Sequence, residues 1–453
     1  MASERFSDDK VDVSALAKPL HFHFANRDAS NRFLKAAMTE RLSSWSPQDL
    51  PKRGVPTKEL INAYKRWGEG NIGLILTGNI MIDYDQLEAA GNAIIPPKAE
   101  FSGERFERFK ELATQAKKNG SLVVGQVSHP GRQTEARLQP NPVSASDLQL
   151  KGKVMGMEFA QPHAASEQEI KDIIVAFTHA AEYLYKAGYD GIELHGAHGY
   201  LLAQFLSQST NKRTDQYGGS LMNRARLIRE VAQSVREKVP ASTGFILGIK
   251  INSVEFQNDG FDAEDCRHLC RSLEEDAHFD FVELSGGTYE SMNQTFNRKS
   301  TENREAFFLE FAEVVVPALR QTKCYITGGL RTAQGMVKAL ESVDGVGLAR
   351  PVCQEPSLCG DILSGRVHAA LKPRIDQQDF GLTNVAAGTQ IRQLARDQQP
   401  INLSRQDNVE IFQKDMQIWA DKMAKDFDRM REYGYVDIVS QETSPYGSLA
   451  VAA

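Results

Sequence analysis

The chain has 453 residues, a formal charge of −6 and a hydrophobic fraction of 41%. That length fits one large α/β domain with an extension, and that apolar fraction fits a globular protein with a substantial core. The mild acidity gives no reason to expect nucleic acid or an anionic membrane as partner, and no apolar run approaches the length of a membrane span.

Five cysteines (Cys266, Cys270, Cys324, Cys353 and Cys359) are odd in number and widely spread. This argues against a disulfide framework, suits a reducing compartment and leaves no four-cysteine cluster for an iron–sulfur site. Cys266 and Cys270 read as two thiols on one helical face. Residues 1–10 are polar and charged, unlike a signal peptide, so a cytoplasmic location is expected.

Residues 11–24 alternate loosely around Pro19 and predict a hairpin or cap ahead of the main fold. A first buried strand is expected over 31–39, a helix over 57–68 with Thr57 as N-cap, and a second strand over 73–78. A helix over 106–118 leads into a third strand, 121–127. The stretch 133–163 is rich in turn residues and reads as a long excursion. Residues 166–187 predict a helix opened by a capping box from Ser166 to Glu169. Strand four, 191–194, follows it. Helices over 223–239, 263–275, 307–321 and 332–340 then alternate with strands over 244–251, 279–285, 324–328 and 345–349.

Eight short strands that are apolar throughout, alternating with amphipathic helices, imply a parallel sheet buried on both faces. Eight such units imply a closed (β/α)8 TIM barrel spanning residues 1–373. An open doubly wound sheet would usually show Gly-x-Gly-x-x-Gly after its first strand, and none is present. Residues 374–453 form a C-terminal extension. Within it, 374–400 reads as a loop or irregular segment, and 409–433 as an amphipathic helix packed on the barrel or on a partner subunit. Residues 442–453 read as a mobile tail.

Chemistry-bearing residues gather at the expected strand ends, where barrels place their active sites. His195, His198 and Tyr200 follow strand four. Gln126 and His129 lie at strand three, and Lys250 lies in strand five. The runs Gly328-Gly329-Leu330-Arg331 and Gly347-Leu348-Ala349-Arg350 close strands seven and eight, where glycine backbone and a helix N-terminus suit a phosphate. The histidine pair has three readings: partial zinc site, structural pair, or two donors polarising a substrate oxygen beside the weak acid Tyr200. Lys250 suits either a Schiff base or a charge partner for a cofactor ring.

The run from His195 through Tyr200 and Leu202 to Asn211, Tyr217, Gly218, Asn223 and Arg224 resembles the Old Yellow Enzyme family of FMN-dependent NAD(P)H oxidoreductases. So do the runs 31–39, 73–78, 126–132, Gly328-Gly329 and 347–350, together covering about residues 15–370. The resemblance implies bound FMN lined by Ala37, Met38 and Thr39. Gly78 and Gln126 would meet the edge of the ring, and Lys250 would stand beside N1 and O2, where the family commonly has arginine. Gly329, Ala349 and Arg350 would hold the phosphate. It further implies that NAD(P)H gives hydride to flavin N5, which passes it to the β-carbon of an activated alkene (enone, enal, nitroalkene or quinone). His195 and His198 would hold the substrate oxygen and Tyr200 would protonate the α-carbon.

Ala37, where many members have proline, and Glu40-Arg41 after Thr39 depart from the family pattern and bear on pocket shape. Other classes predict other behaviour. An aldolase using Lys250 would be colourless. A dienoyl-CoA reductase relative would carry an iron–sulfur cluster and extra nucleotide-binding domains. A binding protein on the same barrel would not turn over NAD(P)H. A homo-oligomer is compatible with all of them.

Overall fold

The computed structural model describes residues 4–7, 9–154, 156–252, 262–285, 311–427 and 429–448. Eight parallel strands close on themselves. They are β1 (Phe33–Lys35), β2 (Leu74–Leu76), β3 (Leu122–Ser128) and β4 (Gly191–Gly196). β5 (Ile246–Asn252), β6 (Phe281–Ser285), β7 (Lys323–Thr327) and β8 (Gly345–Leu348) complete the ring. β8 pairs with β1 through Gly347 and Leu34, and β3 pairs with β4 through Gln126 and Glu193, so no edge is left open.

Helices α1 (Lys58–Gly68), α2 (Gly103–Lys117), α3 (Glu167–Lys186), α4 (Arg226–Lys238), α5 (Ala263–Ala277) and α6 (Ala333–Ala339) surround the barrel. The Thr57 hydroxyl accepts from Leu60 N at the start of α1. Ser166 and Glu169 cap each other reciprocally at the start of α3. Each cap satisfies backbone donors that a helix start otherwise leaves bare, and is worth about 1 kcal/mol. The five cysteines are free and buried. Among the described residues, no helix is long and apolar enough to cross a membrane.

The N-terminal hairpin lies later than the sequence suggests, pairing Leu20–Phe22 with Arg27–Ala29. It plugs the barrel from below. Phe22 sits with Leu34, Leu122 and Ile246, and its ring centroid is 5.9 Å from that of Phe281. Burying one such ring stabilises the fold by about 1.5–3 kcal/mol.

The expectation for 374–400 was wrong. A helix, α8 (Phe380–Ala395), occupies most of it, capped by Asp379 accepting from Leu382 N. Its buried face mixes small and polar residues (Ala386, Ala387, Gly388, Thr389, Gln390) with Ile391 and Leu394 and packs on α1 and a short helix, α7 (Pro351–Gln354), so the stripe is weak in the sequence. Gly388 lies against the Tyr435 ring, where a Cβ would come within 2.2 Å.

Helix α9 (Gln406–Lys425) begins and ends before its predicted limits of 409–433. The residues expected to be its end instead run back to the barrel. Trp45 Nε1 donates to Met430 O at 2.7 Å, and Tyr435 OH donates to Thr39 O at 3.1 Å. Residues 442–448 are held rather than loose: Gln399 N donates to Ser444 O and Tyr446 N to Asp397 O. Part of the helix expected over 307–321, residues 307–310, lies outside the described residues, as do 449–453. Residues 311–315 are helical, followed by a 3-10 turn, Val316–Ala318, containing Pro317.

Candidate functional site

Side chains alternate across each strand, so the inward positions are two apart. Inward residues low in the barrel are apolar; those one and two steps higher are polar. Glu193 lies level with Gln126, His195 with Lys250, Lys250 with Glu283, and Asn252 with Ser285. The register therefore brings Gln126, Lys250 and His195 of three different strands to one end of the barrel. It adds Glu193, Glu283, Ser128, Asn252 and Ser285, which the sequence reading passed over. Their signal was parity: Glu193, Ser128 and Asn252 stand two residues from a residue already singled out, Glu283 stands level with Lys250, and Ser285 follows only from Asn252.

The two histidines are connected in series. Ser128 Oγ lies 3.2 Å from His195 Nδ1, His195 Nε2 lies 3.1 Å from His198 Nδ1, and His198 Nε2 lies 3.0 Å from Ser285 Oγ. The rings meet edge-on at 5.2 Å. Burial, then the neighbouring His198 and the Lys250 charge, push His195 well below the ordinary imidazole range. Burial and Lys250 push His198 down to about 3. Both rings are thus neutral at pH 7, and each can donate one proton and accept another.

His198 has φ of +60° and Gly199 φ of +75°, a left-handed pair that a β-carbon makes costly at His198. Its backbone N–H donates to Asn252 Oδ1 at 2.9 Å, which fixes this turn.

Tyr200 occupies the N-cap position of the short helix Leu201–Leu206, and its ring lies 4.7 Å from that of His195. It is buried against Leu150, Val154 and Phe159 of the long excursion. The excursion is thus one wall of the site. His129 Nδ1 accepts from Gly131 N at 3.0 Å, closing a tight turn.

Lys250 and Glu283 pair at 3.0 Å, both buried. Gln126 Nε2 donates to Glu193 Oε2 at 2.6 Å. Asn252 Nδ2, Thr327 Oγ1 and Glu193 Oε1 are buried with no hydrogen-bond partner. An unsatisfied buried polar group costs about 1–3 kcal/mol. Several of them facing one end of a barrel suit a polar, flat-edged ligand lying across it.

Ala37, Met38 and Thr39 leave β1, and Gly78 leaves β2, beside this end. A hydrogen-bond network that sequence reasoning missed joins the two loops. Glu40 accepts from Gly78 N at 2.9 Å, and Tyr64 OH bonds both Glu40 and Gly78 N. Beneath them Lys35 donates to Ala36 O and Leu76 O and lies over the Trp67 ring. Burial pulls Lys35 down to about 8, opposed by Glu40.

At β7 and β8, Gly328 and Gly329 adopt φ of +146° and +76°. A Cβ on Gly347 would lie 1.9 Å from Thr327 Oγ1. Ala349 and Arg350 precede α7, with Arg350 Nη1 donating to Thr383 Oγ1 of α8 at 2.7 Å. A small open pocket lined by Arg331, Arg350, Gln354 and Thr383 lies there. Among the described residues, no group of three or more His, Cys, Asp or Glu is placed to hold a metal.

The chain matches the model of the NADH:flavin oxidoreductase / NADH oxidase family over residues 15–366. It is 52% identical over 437 residues to the NADH-dependent flavin oxidoreductase nadA of Aspergillus parasiticus, covering 96% of this chain and 97% of that one. It is 38% identical over 167 residues to 12-oxophytodienoate reductase 1 of Oryza sativa, covering 36% of this chain and 43% of that one. The fold superimposes on morphinone reductase with a TM-score of 0.63 at 22% identity, covering 82% of this chain and 95% of the other. The barrel, its polar upper end and these similarities together place the chain in the NADH:flavin oxidoreductase / NADH oxidase family, of Old Yellow Enzyme type, as an FMN- and NAD(P)H-dependent oxidoreductase.

Proposed function

We propose that the chain is an ene-reductase, acting on an activated alkene conjugated to a carbonyl or nitro group, or on a quinone. The observation that carries this reading is the buried cluster of His195, His198 and Tyr200 facing the same barrel end as Lys250 and Gln126. Lys250 and the Gln126 amide offer hydrogen bonds to the polar edge of a flavin ring. Gly78, Ala37, Met38 and Thr39 line its side, while Gly329, Ala349 and Arg350 take the phosphate near the start of α7. Bound there, FMN supplies the two-electron acceptor for NAD(P)H and the hydride donor for the alkene.

The protein's own residues supply orientation and protons. An incoming carbonyl oxygen competes with the contacts among His195, His198 and Ser285 for imidazole N–H groups. Because both rings are neutral, they donate hydrogen bonds without giving up a proton, which stabilises the enolate oxygen as charge develops. Each such donor is worth roughly 3 kcal/mol in a preorganised site. Tyr200 holds a phenolic proton beside His195 and delivers it to the α-carbon. Leu150, Val154 and Phe159 exclude water from Tyr200, so the proton goes to substrate rather than solvent.

The test separates the two half-reactions by stopped flow. Tyr200→Phe leaves flavin reduction by NADH unchanged and slows reduction of a cyclic enone about a hundredfold or more. Equal loss in both half-reactions overturns the role of Tyr200. Failure of every enone, nitroalkene and quinone to reoxidise the flavin overturns the ene-reductase reading.

A further inference from the structure

The two buried carboxylates beneath the site are unused by the chemistry above. Glu193 of β4 and Glu283 of β6 flank Lys250 of β5, and both glutamates are fully buried. Lys250 Nζ lies 3.0 Å from Glu283 Oε1, a contact of charges without hydrogen-bond alignment. Glu193 Oε1 and both Glu283 oxygens accept no hydrogen bond. The two carboxyl groups also lie within reach of each other. Acceptors that face each other, buried and without donors, are satisfied when one proton sits between them.

Counting charge sharpens this. Two carboxylates and one ammonium would leave a net negative charge buried under an electron-accepting ring. With one proton on the pair the cluster is neutral. Burial and then the nearby Glu283 hold the Glu193 carboxyl well above the ordinary range, against the pull of Lys250. The cluster therefore presents no net positive charge, because Glu283 neutralises Lys250.

We infer that the Glu193–Glu283 pair takes up a second proton when the flavin is reduced, which frees the Lys250 charge to face the ring. The inference rests on the placement of FMN proposed above. NADH transfers a hydride and leaves as NAD+, so the ring gains two electrons and one proton, and its charge falls by one. One solvent proton then neutralises the remaining carboxylate, and the cluster's charge rises by one. When the ring passes its hydride to substrate, the pair returns this proton to solvent. The α-carbon proton comes separately from Tyr200.

Other groups that act on the pair are fixed through this cycle. Gln126 donates to Glu193 and does not titrate. Tyr325 of β7 is buried and pushed far up, and so stays a neutral phenol. Lys35, behind the barrel wall, and the neutral His195 and His198 near Lys250 complete the set of ionisable neighbours. None of them offers a carboxylate, so the second proton has one destination.

Anaerobic reduction of the FMN-loaded protein by NADH at pH 7, in weak buffer with an indicator dye, reads this directly. Hydride transfer alone takes no proton from solvent; the inference expects uptake of about one proton per flavin, with the reduced flavin showing the absorption spectrum of its anion. Glu193→Gln keeps this uptake, because Gln mimics the carboxyl that is already protonated. The double variant Glu193→Gln/Glu283→Gln loses it while still bleaching the flavin band. No uptake in the native protein overturns the inference, as does uptake that yields the neutral reduced flavin or persists in the double variant. Failure of NADH to bleach the flavin band at all counts instead against the underlying placement of the cofactor.

Discussion

The inside of the barrel is two different environments built on the same strands. β5 begins with Ile246 at the closed lower end and carries Lys250 and Asn252 at the open upper end. β6 begins with Phe281 and carries Glu283 and Ser285. The lower end is filled by rings and aliphatic chains and plugged by the hairpin. The upper end holds an ion pair, two neutral histidines and several buried atoms without partners. Stability is concentrated below, where burial is gained without unsatisfied polar groups. The upper end gives up part of that stability to hold groups poised for a ligand.

The sharpest way to break this division is at the plug. Phe22→Ala removes the ring packed on Phe281 and costs about 3–5 kcal/mol. Urea unfolding measures the loss, and the flavin bound per folded molecule remains that of the native protein. If the folded variant instead loses flavin, the lower end is not merely structural.

At the upper end, His198→Ala should weaken binding of a phenol, a mimic of the substrate enolate, about 10- to 100-fold, the worth of one hydrogen bond to a charged oxygen. A flavin absorbance titration reads it, and unchanged affinity refutes the assignment. The same titration in the native protein shows no step near pH 6.5, because His198 stays neutral down to about 3. Stability behaves differently. The unfolded chain protonates this histidine below about pH 6.5 and the folded one does not until far lower. The unfolded state therefore binds more protons in that window, and folding stability falls as pH drops from 6.5 toward 3.

The smallest expected effect concerns the extension. Tyr435→Phe loses the hydrogen bond to Thr39 O while keeping the ring under Arg41, a loss of about 1 kcal/mol in urea unfolding. A larger loss accompanied by altered flavin binding would tie the extension to the upper end itself.

Much was legible in the sequence because it was local. Continuous apolar strands, the Thr57 and Ser166 caps, and the run from His195 to Tyr200 are short-range patterns, and each follows from the period of its element. The helix Phe380–Ala395 was not legible, because small and polar residues interrupt its buried face and leave no strong apolar stripe. The sequence alone thus determined a closed barrel with His195, His198 and Tyr200 at and just after the end of its fourth strand. Only the tertiary structure decided that Glu283 would meet Lys250 and that His195 would meet His198 in series. It also decided that Glu40 and Tyr64 would tie Gly78 to the loop after β1. The physical reason is that strand register and barrel closure set these distances, and residues dozens of positions apart carry no mark of the register that joins them.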